Sequence, residues 1–320
     1  MLYRLVKILA RLAIKFYCRN IAINKKEFLK TNGPLLLAVN HPNSFLDAII
    51  FCTLFDSPVY SLARGDAFKG KLVSRILFSL KLLPVYRISE GVENLEENYK
   101  TFDQCKAIFK QNGIVLIFSE GGCVNEWHLR PLKKGTARLA ISSWEDGIPL
   151  KVLPVGINYS SFAKFGKNIK IFLGEFITAN DIDSYNGHGK SIQSFNAGLL
   201  QQLQPFVFEI DATNKEDLHN KFYVPQPALK KIFLFIPSAI GWLLHAPLYY
   251  AVKIIVKKSA FDTDHYDSIV VAILLLAYPL YVVIISLLVF FITNQPFSFL
   301  LLLIFPLTAW AHVQLKKQLD

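Results

Sequence analysis

The sequence predicts an α/β layer architecture followed by a hydrophobic helical C-terminal third. Three observations carry this. Between residues 35 and 173, short apolar runs bounded by Gly, Pro and Asn alternate with segments of helical period. From Ser268 through Leu315 there is no Asp, Glu, Lys or Arg, as a bilayer requires. The 320 residues are 52% hydrophobic and 18% charged, which excludes a disordered, collagen-like or small disulfide-framework protein.

Residues 1–19 place Arg4, Lys7, Arg11 and Lys15 at steps of three and four, opposite Leu2, Val6, Leu9 and Ala13. This is a basic amphipathic helix, suited to a membrane surface with its cations among anionic phospholipid headgroups; a surface helix packed on its own domain has the same pattern. The cations leave no unbroken apolar stretch for a secretory signal, so the bulk of the chain is expected on the cytoplasmic face of the cytoplasmic membrane. Asn32-Gly33-Pro34 then breaks the chain before a buried strand, Leu35–Val39. A helix from Phe45 towards Phe55 and an extended segment, Val59–Ala63, follow. Phe68–Leu82 has helical spacing with Leu72, Ile76, Leu77 and Leu80 facing a core, and Leu83–Tyr86 reads as a strand. A helix from about Val92 to Gln111 stops at Asn112-Gly113. Ile114–Phe118 is a strand, Lys134–Ser143 a helix, and Val152–Ile157 and Ile169–Leu173 complete the strands. Asp181–Lys221 is a polar connection with a helix around Ile192–Glu209, and Pro225 and Pro227 mark a boundary. The expected divisions are a surface helix at 1–30, a catalytic domain at 31–224 and a membrane region at 225–320.

In that last region Ser268–Thr293 is long enough to span a bilayer, Phe297–Val313 is at the lower limit, and Asn294-Gln295-Pro296 is the turn of a transmembrane hairpin. Residues 232–256 are expected to form a re-entrant or interfacial helix pair, because Pro237, Gly241, His245 and Pro247 interrupt the apolar run. Lys230 and Lys231 before this segment and Lys253, Lys257 and Lys258 after it both favour the cytoplasmic side. The four cysteines lie far apart without zinc-site spacing, and are expected to be reduced. The net charge of +11 clusters near the N-terminus and beside apolar segments, which favours anionic lipid and argues against a nucleic-acid partner.

The chemistry concentrates at strand ends. His41 and Asp47 in Asn40-His41-Pro42-Asn43-Ser44-Phe45-Leu46-Asp47 suit a general base held by a carboxylate, which fixes the imidazole tautomer while the other ring nitrogen takes a proton from a hydroxyl. A capping histidine beside an ordinary first-turn acid is the plainer reading. Glu120, Gly121 and Gly122 follow Ile114–Phe118; glycines there let backbone N–H groups approach an anion. Lys133, at the start of the next helix, suits phosphate, and Arg87 after Pro84-Val85-Tyr86 presents a guanidinium fork to one. His128 suits either an acceptor entrance or a surface loop, while His245 and His265 flank the membrane segments as structural histidines.

In order and spacing these blocks resemble the glycerolipid acyltransferase family over roughly residues 30–180. The resemblance implies a mixed sheet flanked by helices, His41 and Asp47 as the catalytic pair, Arg87, Glu120, Gly121, Gly122 and Lys133 at the acceptor site, and no metal or redox cofactor. The donor is expected to be acyl-CoA or acyl-carrier protein. Lysophosphatidate is the first expected acceptor, and glycerol 3-phosphate or another lysolipid the alternative. Five residues rather than four separate His41 from Asp47, and Cys123 stands where the family's third block usually has arginine. Both departures are similar to the branch that includes yeast-type glycerol-3-phosphate acyltransferases. The missing arginine also suits a scaffold that has lost catalysis, against which the intact His41/Asp47 pair argues.

Overall fold

The computed structural model describes residues 2–86, 96–182, 187–260 and 263–319. Its helices are α1 (Leu2–Tyr17), α2 (Ser44–Leu54), α3 (Lys71–Ser79), α4 (Glu97–Lys110), α5 (Lys134–Glu145), α6 (His188–Leu203), α7 (Lys215–Phe222), α8 (Ala228–Ala260), α9 (Tyr266–Thr293) and α10 (Leu301–Leu315). Its strands are β1 (Cys18–Ile23), β2 (Leu35–Val39), β3 (Val59–Arg64), β4 (Leu82–Val85), β5 (Ile114–Phe118), β6 (Lys151–Tyr159) and β7 (Lys167–Leu173).

The strands form one mixed sheet in the order β1-β7-β6-β2-β5-β3-β4, parallel except between β6 and β7. Strand β2 is central, and its five residues are fully buried because both faces are covered. Side-chain alternation divides the core: Leu35, Leu37 and Val39 face α2 and the inner ends of α8 and α9, whereas Leu36 and Ala38 face α4, α5 and α6. Strand β1, absent from the sequence expectations, pairs in parallel with β7 and places the end of α1 in the same core. Its pattern is half-buried and carries Arg19 and Asn20, so apolar content does not single it out.

Two helices differ from expectation. Helix α3 buries none of its residues, and Leu72 and Ile76 are exposed rather than core-facing. Periodicity reports an apolar face but not what covers it. Residues 228–260 form one helix that continues through Pro237 and Pro247 instead of a helix pair. Proline removes a backbone donor and leaves carbonyls on the preceding turn open. A neighbouring helix bonds to this turn: the Tyr281 hydroxyl of α9 donates to the Leu244 carbonyl at 2.8 Å. Helices α8, α9 and the segment Pro296–Leu315 are each long and apolar enough to cross a membrane. Their outward side chains, among them Phe233, Ile236, Leu280, Phe291 and Leu303, are exposed, as expected for lipid-facing surface.

The packing of α8 on α10 depends on a missing side chain. A Cβ on Gly241 would stand 2.1 Å from the Thr308 carbonyl oxygen, so only glycine permits this approach. Gly241→Val is therefore expected to destabilise the helical bundle by about 2 kcal/mol or more. Thermal unfolding in detergent checks this, and a parent-like midpoint contradicts the close crossing.

Candidate active site

Strand β2 delivers His41 to the carboxyl edge of the sheet. The strand end is pinned by Asn40, whose amide donates to the Ile157 carbonyl at 3.1 Å and accepts from the Ile157 N–H at 2.8 Å. The imidazole lies flat on Phe118 at the end of β5, with ring centroids 3.7 Å apart. Its Nδ1 meets Asp47 Oδ2 at 2.9 Å. A buried carboxylate accepts, so Nδ1 carries the hydrogen and Nε2 is the nitrogen able to take a proton. Asp47 is fully buried, whereas the His41 side chain keeps 13% of its surface open.

The five-residue separation still brings this pair together. Ser44, at the start of α2, has φ 50°, in the left-handed region that few non-glycine residues adopt. Two contacts hold it there: its N–H donates to Cys123 Sγ at 2.8 Å, and its hydroxyl meets His265 Nδ1 at 2.6 Å. Cys123, in the place of the arginine usual in the resembling family, thus supports the loop that carries His41. Burial raises its thiol well above the ordinary value, so it stays protonated.

Glu120 is also turned inward. One carboxyl oxygen accepts the His41 backbone N–H at 3.0 Å and the other the Arg130 backbone N–H at 3.1 Å. Burial pushes this carboxyl up to about 7, against the lowering effect of those two bonds. Glu120 therefore braces the loop that carries His41. Gly121 has φ 68°, and a Cβ there would meet Lys133 Cγ at 2.8 Å, so Lys133 lies across the glycine at the start of α5. The Gly122 carbonyl accepts from the Arg130 guanidinium at 3.2 Å, which adds an unpredicted cation to this corner. Arg87 lies outside the described residues. His128 is exposed and pairs with Glu209 rather than facing His41.

Sequence reasoning also missed the support behind Asp47. The Tyr159 hydroxyl donates to Asp47 Oδ1 at 2.6 Å, and the Asn43 backbone N–H donates to Oδ2 at 2.9 Å. Burial first, and the charge of Asp47 second, hold the Tyr159 phenol well above its ordinary value, keeping it a donor. The Asn43 side chain donates to a second buried carboxylate, Asp267, at 2.8 Å; Tyr17 and Lys167 complete its partners. Ser268 receives the Leu46 N–H and donates to the Asn43 carbonyl, both at 3.0 Å. The head of α9 is thus bonded directly to the loop between His41 and Asp47. The available signal was Asp267 itself, an acid at the threshold of a charge-free span.

Tyr159→Phe removes one of three donors to a buried carboxylate, a loss of about 1–3 kcal/mol. We expect kcat to fall about tenfold or more with little change in KM, if that loss is felt in orienting His41. Steady-state kinetics check this, and parent-like kcat contradicts a positioning role. Glu120 supplies a pH signature. Its folded value of about 7 lies above the ordinary 4.5, so between these the folded state holds more protons and stability falls as pH rises. Glu120→Gln should abolish that slope, worth up to about 3 kcal/mol across the window. Unfolding midpoints of both proteins from pH 4 to pH 8 test the difference; parallel curves contradict it.

Comparison with curated proteins gives no match. Among solved structures, the chain is similar to the crystal structure of the 1-acyl-sn-glycerophosphate (LPA) acyltransferase PlsC from Thermotoga maritima. The TM-score is 0.44 at 11% sequence identity, covering 66% of this chain and 80% of that one. Residues 20–158 match the acyltransferase family model, a span that contains His41, Asp47, Glu120, Gly121, Gly122 and Lys133. Residues 20–158 therefore form an acyltransferase domain, and the chain is an acyltransferase.

Proposed function

We propose that the enzyme transfers a fatty acyl chain from acyl-CoA or acyl-carrier protein to the free hydroxyl of 1-acylglycerol 3-phosphate, forming phosphatidic acid. The observation that carries the reading is the 2.9 Å contact between His41 Nδ1 and buried Asp47 at the carboxyl edge of the sheet. His41 Nε2 takes the hydroxyl proton as the acceptor oxygen attacks the thioester carbonyl. The carbon–sulfur bond of the tetrahedral intermediate then breaks, the ester remains, and the imidazolium returns its proton to the departing thiolate. Asp47 stabilises the imidazolium between these steps. Arg87 and Lys133 hold the acceptor phosphate, and that positioning supplies the proximity advantage an alcohol nucleophile needs.

A lipid acceptor is favoured by the bonds between the catalytic loop and the head of α9. They set the reacting group beside a helix long and apolar enough to cross a bilayer. In this reading the catalytic domain lies on the cytoplasmic face, and the exposed leucines and isoleucine of α1, Leu5, Ile8 and Leu12, rest on anionic lipid. Lys7 and Arg11 have another task. They donate to the carbonyls of Thr53, Phe55, Asp56 and Ser57, in the last turn of α2 and just past it, capping that helix as cations do at a C-terminus.

Purified enzyme in lipid nanodiscs, offered labelled acyl donor with lysophosphatidate, glycerol 3-phosphate or another lysolipid, tests the assignment by mass spectrometry of the product. Phosphatidic acid from lysophosphatidate is the expected result; transfer only to another acceptor contradicts it. His41→Ala should lower turnover by about a thousandfold or more while membrane attachment is kept. Retained turnover contradicts the catalytic assignment.

A further inference from the structure

Asn43 turns its side chain away from His41. Its backbone N–H serves Asp47, while its amide crosses to Asp267, 224 positions further along the chain. The side chain is fully buried: the nitrogen donates to Asp267 Oδ2 at 2.8 Å, and the oxygen meets no donor among the described residues. A carboxylate only accepts, which fixes the end of the amide that faces it. An unpaired buried acceptor opposes folding. The bond to Asp267 is therefore what the amide contributes at this place.

Asp267 is itself held in position. Tyr17 from α1 and Lys167 from β7, both buried, bond to it. Burial, then the charge of Asp267, holds the Tyr17 phenol well above its ordinary value, so it stays a donor. The Lys167 ammonium also lies 5.5 Å from the ring centroid of Tyr17 and 5.6 Å from that of Tyr159, whose hydroxyl serves Asp47. Asp267 thus reaches Asp47 by two routes, one through Asn43 and the other through Lys167 and Tyr159. The loop between them needs such outside support. Asn43 has φ −141° and ψ 47°, and Ser44 follows in the left-handed region with φ 50°. Backbone of this kind persists where surrounding bonds over-determine it.

We propose that Asp267 is a positioning residue for acyl transfer: through Asn43 it sets the loop from which Asp47 holds His41. A group at the head of a membrane helix then fixes the geometry of the base. The proposal rests on His41 as the base of the reaction under "Proposed function". Asp267 acts through its partners Asn43, Lys167 and Tyr17 and takes no proton from the substrate. A displaced imidazole loses its proximity to the acceptor hydroxyl while the phosphate-binding cations keep their places, so the loss falls on kcat and not on KM.

The full chain in lipid nanodiscs is assayed as parent, Asn43→Ala, Asp267→Asn and the double variant, with the acceptor that gives product. Asn43→Ala keeps the backbone N–H to Asp47 and removes only the amide. Its kcat is expected to fall about tenfold or more, with KM for the acceptor within about threefold. Asp267→Asn should behave alike, and the double variant should lie within about threefold of Asp267→Asn, because both changes cut one connection. If Asp267→Asn fails to fold with Lys167 unpaired, Lys167→Met/Asp267→Asn takes its place in the cycle. The nitrogen NMR spectrum of the imidazole, assigned with His41→Gln, needs no acceptor: one tautomer with hydrogen on Nδ1 is expected in the parent and a mixture in Asn43→Ala. Parent-like kcat and a single tautomer in Asn43→Ala, or losses that multiply in the double variant, overturn the proposal. Retained turnover in His41→Ala defeats the base assignment instead, and the spectrum still decides whether Asn43 orients the ring.

Discussion

A carboxylate with no exposed surface must find all its partners inside the protein. Asp47 is such a group, and its demand for donors organises the site. His41 Nδ1, the Asn43 N–H and the Tyr159 hydroxyl meet it from three directions. The three donors come from the strand end, the loop and β6. The imidazole is therefore held by the same interactions that make burial of the charge tolerable, and Phe118 fixes the plane of its ring.

A second buried acid extends this arrangement to the membrane helices. Asp267 takes Tyr17 from α1, Lys167 from β7 and the Asn43 side chain from the catalytic loop. Asn43 bridges the two carboxylates, giving its backbone to one and its amide to the other. Breaking the buried Lys167–Asp267 pair typically costs about 3–5 kcal/mol, and the Asn43 bond ties the loop that carries His41 to the same carboxylate. The long apolar helices consequently do more than provide hydrophobic length: their inner ends enter the core beside β2, with Val252, Val256, Val270 and Val271 packed there.

Local signals made the central parts legible in sequence. Leu35–Val39 and Ile114–Phe118 are short unbroken apolar runs beside breakers, and they occur as strands with those bounds. His41 and Asp47 are six positions apart, so one loop and one helical turn suffice to join them. What escaped depends on distant partners. Tyr159 reaches Asp47 across 112 positions and Tyr17 reaches Asp267 across 250. The exposure of α3 and the continuity of α8 through its prolines are likewise decided by neighbours, or their absence, and not by the segment's own pattern.

The central claim is that an ionised Asp47 holds His41 in the tautomer that accepts the substrate proton. Asp47→Asn keeps the shape but removes the charge and offers an amide hydrogen in its place. Rapid-mixing measurement of the acyl-transfer step in this variant, with folding verified separately, is the most direct test. The account predicts a fall of about a thousandfold or more in the transfer rate, with acceptor binding largely preserved. Transfer at the parent rate would contradict it.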